Sequence, residues 1–232
     1  MKKFLIASLI FSLTCCQKEK KIQSDKGGID VLTNIYYNAS KGLEDHQQII
    51  LSKINYNNKD IIELVPNIQI PEVTDSLYYI RDSTFYNLGN PLAARSFVFK
   101  DALLSEKRRK LNEKKLGAIW VTAPIFDYDK RKNLSDTVLY GNKEFKRFQI
   151  FTRENYSIFY IAKTDTILPY SLNFIADKDY SGRLERIDSY DKKRDLFTTV
   201  ILLPRKNWDR EAAEIFEYNK IIGDSENKMK NE

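Results

Sequence analysis

The chain has 232 residues, of which 42% are hydrophobic and 12% aromatic, a composition that excludes an intrinsically disordered protein. Lys and Arg number 38 against 32 Asp and Glu, which gives a formal net charge of +6. Because charges of both signs are interspersed along the chain, they do not form the basic stripe of a nucleic-acid-binding protein, and we predict no nucleic-acid partner.

The N-terminal residues have the pattern of a secretory signal. Lys2 and Lys3 are followed by an apolar run over residues 4–14. This run is shorter than the ~20 residues that a membrane-spanning helix requires, and it matches the hydrophobic region of a signal peptide. We therefore predict that residues 1–15 are a signal peptide that is removed on export.

A short motif at the end of this segment predicts lipid attachment. Leu13, Thr14 and Cys15 precede Cys16, so an aliphatic residue and two small residues lead into a cysteine. The motif resembles the lipobox of bacterial envelope lipoproteins. The resemblance implies that Cys16 becomes an acylated N-terminus and that its acyl chains hold the protein to a bilayer of the cell envelope, which we expect to be the outer membrane. Acylation of Cys15 and an ordinary cleaved signal peptide are the alternatives.

Residues 16–29 follow the predicted cleavage site and are mostly polar and charged, with Gly27 and Gly28 near their end. We predict that they form a flexible leash of about 20 Å between the bilayer and the folded part. The chain has 2 cysteines, both at the signal boundary. The folded part therefore contains no disulfide and no thiolate metal site.

The next segment has apolar residues at a helical spacing. Asp30 can cap a helix that begins at Val31, and the stripe continues through residues 49, 50 and 54. We predict one long kinked helix or two short helices here. His46 is the single histidine of the chain, and without a second histidine or a cysteine it favours a surface position over a metal or catalytic site.

From Asp60 onward, short β-branched and aromatic runs separated by turn residues are typical of an antiparallel sheet. A basic segment at residues 101–116 predicts a solvated helix that crosses one face of the sheet; the alternative is a basic amphipathic helix that lies on an anionic membrane. The strands predicted in this half are residues 61–65, 77–80, 84–88, 96–100 and 118–126.

The sheet pattern is strongest after Ser135, where long runs joined by short turns indicate a meander that ends at Pro204. Asn207 then caps a helix with Trp208, Ile215 and Ile222 on its apolar face, Gly223 as its stop, and a disordered tail over residues 224–232. The strands predicted in this half are residues 145–152, 156–163, 166–174, 183–190 and 196–203.

Residues 177–188 resemble the twelve-residue calcium loop of EF-hand proteins, with Gly182 at the sixth position. The sequence departs from the family in two ways: the last position holds Asp in place of Glu, and the flanking segments are predicted strands and not helices. A polar β-hairpin turn with Gly182 at a positive φ is the alternative. The resemblance implies Ca²⁺ as a cofactor, with Asp177, Asp179, Ser181, Arg183, Glu185 and Asp188 as its ligands.

We predict a single α+β domain over residues 30–223: a twisted antiparallel sheet, open or curved into a partly open barrel, packed by N-terminal and C-terminal helices. The predicted function is that of a membrane-tethered envelope lipoprotein, a non-enzymatic binding module for an apolar ligand or an envelope protein. The alternative is an extracytoplasmic hydrolase that uses two carboxylates. Binding predicts an apolar cavity or an exposed aromatic patch, whereas hydrolysis predicts two acids ~5–9.5 Å apart in a polar cleft.

Overall fold

The computed structural model describes residues 21–44, 47–89, 91–121 and 123–230. The predicted signal peptide, Cys16 and His46 lie outside these ranges. The helices are α1 (Pro91–Ala94), α2 (Phe99–Leu104), α3 (Phe174–Asp179) and α4 (Arg210–Lys230). The strands are β1 (Ile22–Gln23), β2 (Lys26–Tyr37), β3 (Gln47–Asn57), β4 (Asp60–Pro66), β5 (Thr74–Arg81), β6 (Thr84–Gly89), β7 (Arg109–Lys110), β8 (Lys132–Leu139), β9 (Lys143–Phe151), β10 (Asn155–Lys163), β11 (Thr166–Ile167), β12 (Gly182–Asp191) and β13 (Leu196–Arg205).

The main sheet has 11 antiparallel strands in the order β7-β6-β5-β4-β3-β2-β13-β12-β10-β9-β8 and is not closed. It consists of two meanders, one of β2 to β7 and one of β8, β9, β10, β12 and β13. The two meanders meet at one seam in the middle of the sheet, where β2 pairs with β13 from Gly28–Arg205 to Tyr37–Leu196. Strands β1 and β11 form a separate parallel pair. The predicted α+β fold class with a twisted, open antiparallel sheet is confirmed.

Alternation along the strands divides the sheet into two apolar faces. The inner face carries Ile61 and Ile80, and its cluster extends across the sheet to Phe148 and Phe159. Two irregular segments fill this face, and both contribute aromatic side chains to the cluster. Residues 111–130 add Leu111, Ala118, Trp120, Ile125 and Tyr128, and residues 168–180 add Leu168, Tyr170, Leu172, Ile175, Ala176 and Tyr180.

The outer face of β4 and β5 is covered by helices. Phe216 of α4 is 3% exposed and lies 4.5 Å from the Trp208 ring and 5.9 Å from the Phe99 ring, between centroids. Ile215 is also buried, so the predicted packing of a C-terminal helix is confirmed. The helix begins at Arg210, however, so Asn207 does not cap it and Trp208 precedes it. Gly223, however, does not end this helix, which continues through residues 224–230, where a disordered tail was predicted.

The predicted N-terminal helix is wrong, because Asp30 and Val31 lie within β2, and residues 49, 50 and 54 lie within β3. The prediction of a leash is also wrong from residue 22 onward. Ideal Cβ atoms at Gly27 and Gly28 would lie 2.7 Å from the Tyr56 hydroxyl and the Arg205 guanidinium. The two glycines therefore allow close approach of side chains to β2. The pairing of β2 with β13 and β3 stabilises a strand here, although the local spacing of apolar residues favours a helix.

The segment between β6 and β8 also differs from its prediction. Residues 118–126 form no strand, and the predicted helix over 101–116 is limited to α2 and a 3-10 turn at Leu111–Glu113. Residues 96–100 are not a strand, because α2 begins at Phe99. Leu111, Ala118, Trp120 and Ile125 of this segment pack on the inner face of the sheet without strand pairing. Most of the predicted strand at 166–174 is likewise irregular.

Candidate functional site

Two neighbouring clefts lie at one end of the main sheet. Because adjacent strands are antiparallel, β2 begins at this end, the β3–β4 and β5–β6 turns lie there, and β12 begins there. Lys21 is held at the same end, where its Nζ donates to Thr164 O at 2.9 Å and to Ser181 O at 3.1 Å. We call this the Lys21 end.

The larger cleft has a volume of about 650 Å³ and opens to solvent. Strands β4 and β5 contribute Ile61 and Ile80 to its apolar wall, and the irregular segments contribute Trp120 and Phe174. Its rim is mainly basic. The complete lining is Lys59, Ile61, Ile80, Arg81, Asp82, Ser83, Thr84, Lys110, Leu111, Asn112, Trp120, Val121, Pro169, Ser171 and Phe174.

A buried ion pair holds the wall segment that carries Trp120. Glu63 accepts hydrogen bonds from Ala118 N at 2.6 Å and from Ser52 Oγ at 2.7 Å. Lys114 Nζ lies 2.9 Å from Glu63 Oε2, and the two side chains are 2% and 0% exposed. Burial lowers the pKa of Lys114, and the Glu63 carboxylate opposes this shift. The pair therefore fixes residues 114–118 to β4.

Gly117 is required where this segment crosses Glu63. Its φ of +81° lies in the left-handed region, and an ideal Cβ at this position would collide with the Glu63 carboxylate. A glycine here lets the backbone approach closely enough for Ala118 N to donate to Glu63. Trp120 then packs edge-on against Tyr170, with 5.0 Å between ring centroids.

The smaller cleft, of about 270 Å³, lies beside the larger one. Phe174 lines both clefts, so its ring separates them. Asp177 is at the inner part of this cleft. Burial raises the pKa of its carboxyl group, against the opposing effect of hydrogen bonds from Ser171 Oγ at 2.5 Å and Leu184 N at 2.6 Å.

The calcium loop predicted over residues 177–188 is not formed. Asp177 and Asp179 are in helix α3, whereas Arg183, Glu185 and Asp188 are in strand β12. The segment is therefore a helix-to-strand connection, and it is not the alternative β-hairpin turn either. The positive φ belongs to Ser181, at 52°, and not to Gly182.

The side chains proposed as calcium ligands have other partners. Asp179 contacts Arg131 at 3.3 Å, and Asp188 contacts Arg186 at 2.7 Å. Glu185 contacts two cations, Arg183 at 2.7 Å and Lys143 at 2.5 Å. Within the described ranges, no group of three or more His, Cys, Asp or Glu side chains is arranged to hold a metal ion. No cofactor is positively indicated there.

We expect the melting temperature to be the same in calcium chloride and in sodium chloride at matched ionic strength, up to tens of millimolar calcium. The physical reason is that Asp179, Glu185 and Asp188 are already neutralised by nearby cations, so calcium relieves no repulsion. Differential scanning calorimetry measures this directly. A calcium-specific rise that Asp179→Ala abolishes would contradict the expectation, because a ligand bound to the folded state raises its stability.

Sequence reasoning did not identify the residues of the larger cleft. Lys59, Lys110, Trp120 and Phe174 come from four separate elements, and no spacing links them. The one local indication was the position of Trp120 in an apolar run shortly after Gly117, which was interpreted as a strand.

In the described part of the chain, no helix combines the length and apolar content that crossing a bilayer requires.

No family model and no curated protein matches the chain. Several solved structures are similar to it, among them the following two. An uncharacterized conserved protein from Thermus thermophilus has 10% identity and a TM-score of 0.35, over 78% of this chain and 80% of that chain. A DUF1329 family protein from Desulfovibrio piger has 12% identity and a TM-score of 0.31, over 83% of this chain and 90% of that chain. Similarity this low assigns neither a family nor a function to the chain.

Proposed function

We propose that the protein is an envelope lipoprotein, tethered through an acylated Cys16, that binds an anionic amphiphile in the larger cleft. The observation that carries the proposal is the combination, in one cleft, of an apolar wall and a basic rim. An acyl or alkyl chain would lie against Trp120 and Phe174, and an acidic head group would lie near Lys59 and Lys110. The volume of about 650 Å³ is within the usual range for small-molecule sites.

The rim favours an acidic head group because its two lysines are exposed. Arg81 contributes less charge, since it contacts Asp60 at 3.0 Å and Asp82 at 3.6 Å. Lys59 lies in the turn between β3 and β4, and Lys110 lies on β7. Each methylene of the ligand that leaves water for the apolar wall contributes about 0.8 kcal/mol. The alkyl chain of the ligand therefore supplies most of the affinity, and the basic rim supplies selectivity for the head group.

The carboxylate hydrolase has no site in either cleft. Asp82 is the one acid among the described residues that line the larger cleft, and Asp177 is the one acid in the smaller. Asp177 is also occupied by hydrogen bonds from Ser171 and Leu184. A pair of acids that flanks a scissile bond is therefore not formed in these clefts, and binding is the function that the geometry supports best.

The test is displacement of a fluorescent fatty acid, dansylaminoundecanoate, from a chain that spans Gln17 to Glu232. The three hydrophobic clusters and the complete sheet lie within residues 22–230, so this chain is expected to fold without acyl groups. We expect saturable binding, and displacement by dodecyl phosphate at lower concentration than by dodecyl maltoside, which has the same chain and no charge. Absence of saturable binding would contradict the proposal.

Phe174→Ala should weaken binding of dodecyl phosphate about tenfold, because removal of half-exposed aromatic surface of ~50 Å² corresponds to about 1.3 kcal/mol. The matched control is Phe151→Ala, since Phe151 is 62% exposed and lies at the opposite end of the sheet. Equal losses in the two variants would place the ligand outside the cleft.

A further inference from the structure

Several exposed apolar side chains surround the two clefts. Ile22 of β1 and Ile167 of β11 are 57% and 40% exposed. Phe174, which separates the clefts, is 49% exposed, and Val121 of the larger cleft is 37% exposed. Ile119 is the most exposed of this set, at 76%. Its backbone is fixed by a hydrogen bond from the Tyr170 hydroxyl to Ile119 O at 3.1 Å.

These side chains remain partly exposed, although larger apolar clusters are available on both faces of the sheet. They are carried by short or irregular elements that hydrogen bonds hold in place. The local structure at the Lys21 end therefore keeps these apolar side chains exposed. An exposed apolar patch with a polar rim is typical of an interaction surface.

The charges that border this patch are mostly basic. The exposed charged side chains that frame the clefts include six lysines and four acids: Lys21, Lys26, Lys59, Lys110, Lys163 and Lys178, with Asp25, Asp82, Asp165 and Asp179. Asp82 is in addition within 3.6 Å of Arg81. The border therefore has a net positive charge that complements an anionic surface.

The position of the proposed anchor makes a bilayer the partner that fits. Cys16 is five residues before Lys21, so the two Cα atoms are at most about 18 Å apart. Strand β2 has 12 residues and spans about 40 Å from the Lys21 end to the opposite end. An acyl group on Cys16 can therefore hold only the Lys21 end of the sheet close to a bilayer.

From these observations we infer that the Lys21 end rests on an anionic bilayer, with Ile22, Ile119 and Phe174 in the lipid interface. This inference rests on the proposed acylation of Cys16. One acyl group would then set the distance to the membrane, and the apolar patch would set the orientation. Apolar side chains enter the boundary between head groups and acyl chains, while lysines bind acidic head groups. Both clefts would open toward the lipid, which is the source of the amphiphile that the larger cleft binds.

The test uses the full lipoprotein in vesicles, with one cysteine introduced and labelled with the fluorophore NBD. The chain has no cysteine other than Cys15 and Cys16, so a cysteine in the folded part is the sole free thiol once Cys16 is acylated. Ile119→Cys reports the Lys21 end. Ile70→Cys is the matched control, since Ile70 is 55% exposed and lies after β4 at the opposite end.

In vesicles that contain phosphatidylglycerol, the label at position 119 should emit at shorter wavelength and be quenched by doxyl-labelled lipid. The label at position 70 should behave as it does in water. An aqueous spectrum at position 119, or equal quenching at both positions, would overturn the inference. Mass spectrometry of the N-terminal peptide shows whether Cys16 is acylated, so loss of the anchor is recognised separately.

Charge provides an independent readout. Lys163→Gln and Lys178→Gln should each lower the ratio of docked to undocked protein about fivefold at low salt. Lys41→Gln, an exposed lysine at the opposite end, should not change it. Neither Lys163 nor Lys178 lines the larger cleft, so displacement of the fluorescent fatty acid should be unaffected. A docking signal that does not depend on these lysines or on phosphatidylglycerol would contradict the electrostatic part of the inference.

Discussion

Replacing Glu63 with Gln is expected to lower the free energy of unfolding by about 3–5 kcal/mol, because Lys114 would remain buried without a counter-charge. Both side chains are almost fully inaccessible to solvent. The variant would also weaken the acceptor for Ala118 N and Ser52 Oγ. Urea denaturation measures the change as a shift in the transition midpoint at constant slope.

The control for this variant is a pair of substitutions. Glu63→Gln combined with Lys114→Met removes both charges and should recover much of the lost stability, since no unpaired charge is then left buried. Asp127→Asn removes an exposed ion pair to Lys130 and should leave the midpoint nearly unchanged. A loss from Glu63→Gln that is no larger than the loss from Asp127→Asn would show that the buried pair does not hold the segment.

Glu63→Gln should affect the binding site as well as stability. The residues between Gly117 and Val121 form one wall of the larger cleft, and Glu63 is the contact that fixes this wall to β4. Loosening it should weaken binding of dodecyl phosphate at temperatures where the variant is still folded.

Phe216→Ala is expected to lower the free energy of unfolding by about 3–5 kcal/mol, the usual range for a fully buried Phe. Phe216 joins α4 to Trp208 and to Phe99 of α2, so its loss leaves a cavity between the helices and the outer face of β4. The same denaturation experiment measures it. Ile221→Ala is the control on the same helix, since Ile221 is 63% exposed. If both substitutions had similar effects, α4 would not contribute a core face at position 216.

The strands that could be predicted from the sequence are those with a strong local pattern and a sequence neighbour as partner. Strands β9, β10, β12 and β13 have alternating or β-branched runs bounded by turn residues, and each pairs with a strand close by in the sequence. The C-terminal helix was predictable for a similar reason, because Ala212, Ile215 and Phe216 form one side of a continuous 3.6-residue pattern.

The segments that were wrongly predicted depend on distant partners. Residues 31–36 have apolar positions that fit a helix, but β13, more than 150 positions later, pairs with them. Residues 118–126 have strand-like composition, yet Glu63 binds Ala118 N, and Ala118, Trp120 and Ile125 pack on the inner face without a strand partner. The larger cleft combines such segments. Its wall residues have ordinary patterns, and only the tertiary structure brings the apolar wall and the lysines together.

The seam between β2 and β13 has a consequence for the order of folding. Each meander is made mostly of hairpins between sequence neighbours and can begin to form from local contacts. The seam joins the first long strand to the last one, so the entropic penalty of closing that loop must be overcome before its hydrogen bonds form. A chain that leaves a translocation pore N-terminus first could not complete its sheet until Arg205 had emerged. The sheet would therefore be completed only after export, and a finished sheet would not obstruct passage of the chain through the pore.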